Sequence, residues 1–204
     1  ILKHLGISEL NDMQLAAIKA NEDNKDIILL SATGSGKTLA FLLPLVQALK
    51  PENKHPQALI IVPSRELAIQ IDDVFRKMQT GFKVTLCYGG HKREIEETNL
   101  IQAPAVIIGT AGRLADHIRR GNFNTAEIST LILDEFDKSL DLGFTEEMEF
   151  IVGSLKNVTK RVLTSATESV EVPAFVGINE PIKLNYLADK LTHGLGLEIK
   201  TVFS

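Results

Sequence analysis

An α/β fold is expected from three features of this chain: a mostly parallel central sheet of about seven strands, with helices on both faces. Short apolar runs recur along the sequence. Segments with helical spacing lie between most of them. The residues with the most chemical potential stand just past the ends of the runs. A run that is apolar at every position needs cover on both faces. Its alternation with helices points to parallel strands joined by right-handed crossovers. In such a sheet a ligand sits beyond the C-terminal strand ends.

The elements follow in order. DIILL (26–30) is the first run, and GKTLAFLLPLVQALK (36–50) follows it with Leu39, Leu42, Leu43, Val46 and Leu49 on one side. ALIIV (58–62) precedes RELAIQIDDVFRKMQ (65–79), where Leu67, Ile71, Val74 and Met78 repeat the helical period. KVTLCY (83–88), AVIIG (105–109), TLILD (130–134), RVLTS (161–165) and IKLNY (182–186) complete the series. Residues 1–186 therefore read as one domain. The tail from 187 to 204, with less clear periodicity and two glycines, reads as a linker and the start of another element.

Bulk properties narrow the function classes. The chain has 204 residues, 44% apolar and 24% charged, which suits one ordinary globular domain. At this length roughly 70% of the unfolded surface is expected to be buried. The net charge of -4 means that any nucleic-acid grip must come from a local patch. Cys87 is the sole cysteine, so no internal disulfide forms; in KVTLCY it reads as a small buried hydrophobe. A reducing compartment is compatible. No apolar run approaches 18 residues, and no membrane association is expected. The five histidines have no metal-ligand spacing. A chain that starts with Ile and ends at KTVFS reads as part of something longer.

DIILLSATGSGKTLAF places a strand, a Gly-rich turn and a helix in succession. Gly34, Gly36, Lys37 and Thr38 carry the last part of a phosphate-loop pattern, although Ser31 stands where the strict pattern has Gly. Glycines let backbone N–H groups wrap an anion. The helix start adds unpaired donors and partial positive charge. Lys37 can reach the β- and γ-phosphates of ATP, and the Thr38 hydroxyl can ligate Mg²⁺. A second cluster follows TLILD: Asp134, Glu135 and Asp137 crowd three carboxylates into four positions. Such crowding is costly unless a cation, or a water to be activated, sits there. Asp134 at a strand end could hold the nucleotide's Mg²⁺ through water, and Glu135 could polarise the attacking water. A helix-capping role for Asp137 is the simpler alternative.

The motifs, taken in order, resemble the first RecA-like domain of a DEAD-box RNA helicase, a P-loop NTPase fold. GISELNDMQ (6–14) resembles the adenine-reading Q motif, SATGSGKT (31–38) the phosphate loop, and PSRELA (63–68) the family's PTRELA. GG (89–90) follows a strand, TAGR (110–113) resembles TPGR, DEFD (134–137) stands for DEAD, and SAT (165–167) completes the set. The resemblance implies ATP and Mg²⁺ as cofactors. It implies nucleotide contacts from Gln14, Ser31, Ala32, Thr33, Gly34, Ser35, Gly36, Lys37 and Thr38, metal contacts from Thr38 and Asp134, and catalytic roles for Lys37, Asp134 and Glu135. Asp137, Ser165 and Thr167 would couple the nucleotide site to RNA. Three departures stand out. Leu10 replaces a proline, Ala111 replaces another, and Phe136 replaces alanine and would have to fit between the nucleotide site and SAT, with simple core filling as the alternative.

The resemblance places Pro63, Arg65, Gly90, Thr110, Gly112 and Arg113 against an RNA backbone. Arginine forks, hydroxyls and helix-start amides hold phosphates without reading sequence. A structural ion pair is the alternative for Arg113, and a solvated surface the alternative for HKR (91–93). Aromatic residues make up only 5%, so base stacking is not the main grip. The resemblance further implies a monomer, a cytoplasmic location, and a second RecA-like domain that brings arginine fingers. ATP-dependent unwinding or remodelling of short RNA duplexes is the first expectation. A nucleotide-gated RNA clamp and a DNA-directed helicase remain alternatives.

Overall fold

The computed structural model describes residues 1–23, 25–168 and 171–187. The tail from 188 to 204, expected to be linker, lies outside them. The strands are β1 (Ile27–Ser31), β2 (Ala58–Val62), β3 (Val84–Cys87), β4 (Val106–Thr110), β5 (Thr130–Leu133), β6 (Lys160–Ser165) and β7 (Ile182–Tyr186). The helices are α1 (Asp12–Glu22), α2 (Lys37–Ala48), α3 (Arg65–Lys77), α4 (Arg93–Ile101), α5 (Ala111–Arg119), α6 (Phe136–Asp141) and α7 (Thr145–Ser154). Each apolar run of the sequence is one of these strands, with its ends displaced by at most one residue.

Among the described residues the strands form one sheet in the order β3-β4-β2-β5-β6-β1-β7. Every neighbouring pair is parallel. All loops that follow a strand therefore emerge on one edge. The register pairs Leu30 with Ser165 and Leu133 with Leu163, so β1, β6 and β5 end almost level.

Strand side chains alternate between two apolar layers. Leu29, Ile60, Val62, Ile108 and Ile132 belong to one, with Met13 and Ala17 of α1, Phe41 of α2, and Ile71 and Phe75 of α3. Leu59, Ile61, Ile107, Leu131, Leu133 and Leu163 belong to the other, with Leu114 of α5 and Met148 and Ile151 of α7. Both faces of the inner strands are covered, which is why β2, β4 and β5 read as nearly continuous apolar runs, whereas edge strand β7 leaves Lys183 and Asn185 exposed.

The helices depart from expectation in two places. The sequence pattern gives α2 a single apolar side, but Ala40 to Leu45 are buried without interruption, because α1, which also contacts β1 and β7, packs against a second side of the helix. Pro44 lies inside α2 and does not end it. Burial of Phe41, Leu42 and Leu45 offsets the roughly 3 kcal/mol that an interior proline costs. Asp137 does not cap a helix. Instead, Glu135 is the residue that precedes the first turn of α6, and Asp137 lies within that turn.

Gly109 is required where β4 meets β3. A Cβ there would lie 2.2 Å from the Cys87 carbonyl oxygen and 2.9 Å from Leu114 Cγ. Both obstacles are buried, and one is backbone. Gly109→Ala is expected to cost about 2–3 kcal/mol or to prevent folding, read as a fall of several degrees in Tm. An unchanged melting temperature would contradict this packing.

Candidate nucleotide and nucleic-acid site

The phosphate loop leaves β1 at Ser31 and closes at Gly36, which precedes α2. Gly34 and Gly36 have φ of 78° and 92°. No side chain caps the start of α2. Its first amides, which have no intrahelical acceptor, therefore face the loop. Ser31 and Ser35 join their hydroxyls at 2.7 Å. Lys37 is buried, and its Nζ donates to the Ser31 carbonyl at 2.6 Å. The loop is thus drawn around its own lysine.

α1 buttresses this loop. Asn11 and Gln14 form a capping box: the Asn11 carboxamide accepts from Gln14 N at 2.9 Å, and Gln14 Oε1 accepts from Asn11 N at 3.1 Å. This local closure explains how the helix starts without the proline expected in place of Leu10. Gln14 Nε2 then donates to the Gly36 carbonyl at 3.3 Å, and Asn11 Nδ2 to the Ser35 carbonyl at 3.1 Å. A Cβ on Gly36 would come within 2.6 Å of Gln14 Nε2. The amide expected to read adenine is therefore already bonded to the loop, with one hydrogen and one lone pair to spare.

The acid cluster stands two strands away, about 10 Å by strand spacing. Asp134 continues the ladder by one bond, its N–H donating to the Ile61 carbonyl at 2.9 Å. Thr164 on β6 lies between. Its hydroxyl donates to Asp134 Oδ1 and accepts from the Glu135 N–H at 3.0 Å. Glu135 is held in the left-handed region at φ 49°, ψ 49°, a strained conformation for a side-chain-bearing residue. Its carboxylate pairs with Lys138 at 2.7 Å. Asp137 Oδ2 accepts from Ser165 at 2.8 Å and Thr167 at 3.2 Å, while Asp137 Oδ1 is buried without a partner.

Electrostatics tie the two clusters together. Burial pulls the Lys37 pKa below its ordinary value, against the opposing pull of Asp134, Glu135 and Asp137. Burial also pushes Asp134 up to about 6, aided by the Glu135 charge and opposed by the Thr164 hydrogen bond and by Lys37. The donor set suits a hard divalent cation: buried carboxylates, one with an orphaned oxygen, and hydroxyls. Thr38, Asp134 and the amides after Gly34 accordingly fit magnesium and a polyphosphate.

The remaining residues lie past β2, β3 and β4, on the other half of the same edge. Pro63 is buried after β2. Arg65 is exposed and pairs with Glu66 at 2.6 Å. Arg65 Nη1 also lies 3.9 Å from where a Gly90 Cβ would stand, so these two come together. Thr110 is half-buried and Gly112 exposed at the start of α5. Arg113 is engaged as the structural alternative held: Nη2 donates to the His91 carbonyl at 3.0 Å, and Nε lies 3.6 Å from Glu96 Oε2. Of HKR, His91 contacts Glu96 at 3.2 Å, Arg93 pairs with Asp116 at 3.1 Å, and Lys92 is exposed.

Phe136 does not fill the space between the nucleotide cluster and Ser165–Thr167. It is buried in the apolar layer that holds Leu133, Leu163 and Met148, so its bulk is taken up beneath the site. Thr164 and Glu96 escaped the sequence reading. Thr164 had no signal beyond its place before SAT, and Glu96 resembled any acid on a helix surface. Asn11 was detectable from its spacing to Gln14.

A family model described as DEAD/DEAH box helicase matches residues 11–175. ATP-dependent RNA helicase DeaD of Escherichia coli strain K12 is 39% identical over 169 residues, covering 81% of this chain and 27% of that protein. DEAD-box ATP-dependent RNA helicase CshA of Geobacillus kaustophilus is 35% identical over 195 residues, covering 94% of this chain and 42% of that protein. The chain thus spans well under half the length of these relatives. A crystal structure of a DEAD box protein from Methanococcus jannaschii superposes with a TM-score of 0.83 at 29% identity, over 92% of this chain and 53% of that one. A hypothetical ATP-dependent RNA helicase from Sulfolobus tokodaii superposes with a TM-score of 0.79 at 23% identity, which shows the fold.

The raised Asp134 pKa has a consequence for stability. A carboxyl shifted from 3.8 to about 6 keeps its proton in the fold between those values, and stability is lost as pH rises through that window. Asp134→Asn escapes the loss. In a chelator, urea unfolding is expected to show the variant matching the parent near pH 4 and exceeding it by about 1–3 kcal/mol at pH 8. A gain no larger at pH 8 than at pH 4 would refute the shift.

Proposed function

This chain belongs to the DEAD/DEAH box helicase family, and we propose that it is the ATP-binding half of an ATP-dependent RNA helicase that remodels short duplexes. One observation carries the reading: the phosphate loop and the acid cluster share a sheet edge, close enough for Lys37 to feel three carboxylates. The amides from Gly34 to Thr38 would receive the phosphates of ATP, with Ser31, Ala32, Thr33 and Ser35 shaping the loop. Lys37 would exchange the Ser31 carbonyl for a phosphate oxygen. Gln14 would read the adenine edge with its remaining donor and acceptor. Thr38 and Asp134 would hold Mg²⁺, whose charge offsets the crowding of acids and the charge on the phosphates. Glu135, aimed by its left-handed backbone and the Thr164 hydroxyl, would polarise the attacking water.

Asp137, bonded to Ser165 and Thr167, would couple that site to RNA. Pro63, Arg65, Gly90, Thr110, Gly112 and Arg113 would line the sugar-phosphate track. A second RecA-like domain of the same polypeptide would supply arginine fingers, each worth roughly 10³–10⁵ in rate in related hydrolases. The 204-residue chain alone would therefore bind nucleotide weakly and hydrolyse slowly. We place residues 1–186 in the domain, and the protein in the cytoplasm as a monomer. Among the described residues no helix is long and apolar enough to cross a membrane.

The pairing of Glu135 with Lys138 favours one other reading, a nucleotide-gated RNA clamp, because it occupies the water-polarising carboxylate. That pair is half-exposed on the lysine side and easily exchanged. Strand displacement by the complete polypeptide separates the two: a helicase unwinds a short duplex with ATP, and a clamp only retains it. Lys37→Ala is expected to weaken binding of a fluorescent ATP analogue at least 100-fold while the fold persists. Unchanged affinity would overturn the phosphate-loop assignment.

A further inference from the structure

Glu96 is a fully buried carboxylate on α4, and every group around it is a donor. Its Oε1 accepts from the Tyr88 N–H at 3.0 Å and from His91 Nδ1 at 3.2 Å. Its Oε2 accepts from His117 Nε2 at 2.7 Å and lies 3.6 Å from Arg113 Nε. The His117 tautomer follows from its other side. Asn122 Nδ2 meets Glu97 Oε1 at 3.2 Å and His117 Nδ1 at 2.8 Å. An amide nitrogen beside a carboxylate is a donor, so Nδ1 accepts and Nε2 carries the proton towards Glu96. Cys87 Sγ lies within 4.8 Å of the Glu96 carboxylate and of a His117 ring nitrogen. With Nε2 protonated and a guanidinium alongside, these atoms form a hydrogen-bonded hub rather than a cation cage.

The partners of Glu96 are not scattered. Tyr88 and His91 flank the Gly89–Gly90 turn, and Arg113 stands in the first turn of α5. Arg113 Nη2 also donates to the His91 carbonyl at 3.0 Å. With Nε and Nη2 both held, the guanidinium plane is fixed relative to that turn. A buried charge this costly is tolerated only when fully paired. Here the pairing joins the turns that leave β3 and β4 beyond the last paired residues, Cys87 and Gly109.

We propose that Glu96 is a positioning residue for RNA: it locks the Gly89–Gly90 turn and the Arg113 guanidinium into one phosphate-holding arrangement without touching the nucleic acid. This rests on the reading that Gly90 and Arg113 contact RNA phosphates. Plain electrostatics predicts the opposite effect of neutralising it, because removing a negative charge beside Arg113 should tighten RNA binding.

The test uses the 204-residue chain and a fluorescent single-stranded RNA, with affinity followed across a salt series. Glu96→Gln and Glu96→Ala are each expected to weaken binding about tenfold. The log–log salt slope should shrink by about 0.7, as for loss of one phosphate contact and as in Arg113→Ala. The Glu96→Ala/Arg113→Ala double variant should bind no more weakly than the worse single variant, because both act through one guanidinium. Affinity for a fluorescent ATP analogue should stay within twofold. Unchanged or tighter RNA binding by Glu96→Gln, or additive losses in the double variant, would overturn the proposal while Arg113→Ala still weakens binding. If Arg113→Ala and Gly90→Ala both leave RNA affinity untouched, the RNA surface itself is misassigned and the proposal falls with it. If Glu96→Ala does not fold, Glu96→Gln carries the comparison. Loss of cooperative melting in both would overturn positioning in favour of a purely structural role.

Discussion

Seven parallel strands can be joined only by crossovers that return to the far end of the sheet, and this constraint organises the molecule. Every loop that leaves a strand emerges on one edge. Phosphate loop, acid cluster and arginine-bearing turns are far apart in the chain, yet they share that edge because they follow β1, β5 and the β2–β3–β4 group. The order of strands then divides the edge. β1, β6 and β5 carry the nucleotide half; β2, β4 and β3 carry the other, and β2 beside β5 joins them.

Within the nucleotide half, β6 mediates. Thr164 receives the Glu135 amide and donates to Asp134, and Ser165, next along, donates to Asp137. Two adjacent hydroxyls thereby set all three acids. The arrangement is destabilising in isolation: Asp134 is pushed upward by burial and Lys37 downward, each short of a full counter-charge. Such opposed shifts across one cleft mark it as a candidate site for a polyanion and a divalent cation.

The other half uses a different device. Rather than an open basic patch, its arginines are already engaged, Arg65 by Glu66 and Arg113 by Glu96 and the His91 carbonyl. Partial neutralisation agrees with the chain's overall negative charge. It lowers long-range electrostatic strength, and at Arg113, which Glu96 and the His91 carbonyl hold, it fixes the guanidinium in place.

Much of this was legible in the residues. Runs such as ALIIV and AVIIG, apolar on both faces, required a sheet covered on both sides, since nothing else buries both faces of a strand. SATGSGKT and DEFD pointed to an anion cradle and to a cation or an activated water, because glycines and crowded acids are costly otherwise. Periodicity could not show that α1 would complete the burial of α2, or that Asp137 would lie inside a helical turn with Ser165, and it left open which of its two places Phe136 would take. Nor could any spacing reveal Glu96, Thr164 or the need for Gly109. Local pattern reports which face of an element is apolar. Hydrogen bonds and close approaches between segments separated by dozens of residues arise only when the sheet brings them side by side, and those contacts determine how each acid and arginine is held.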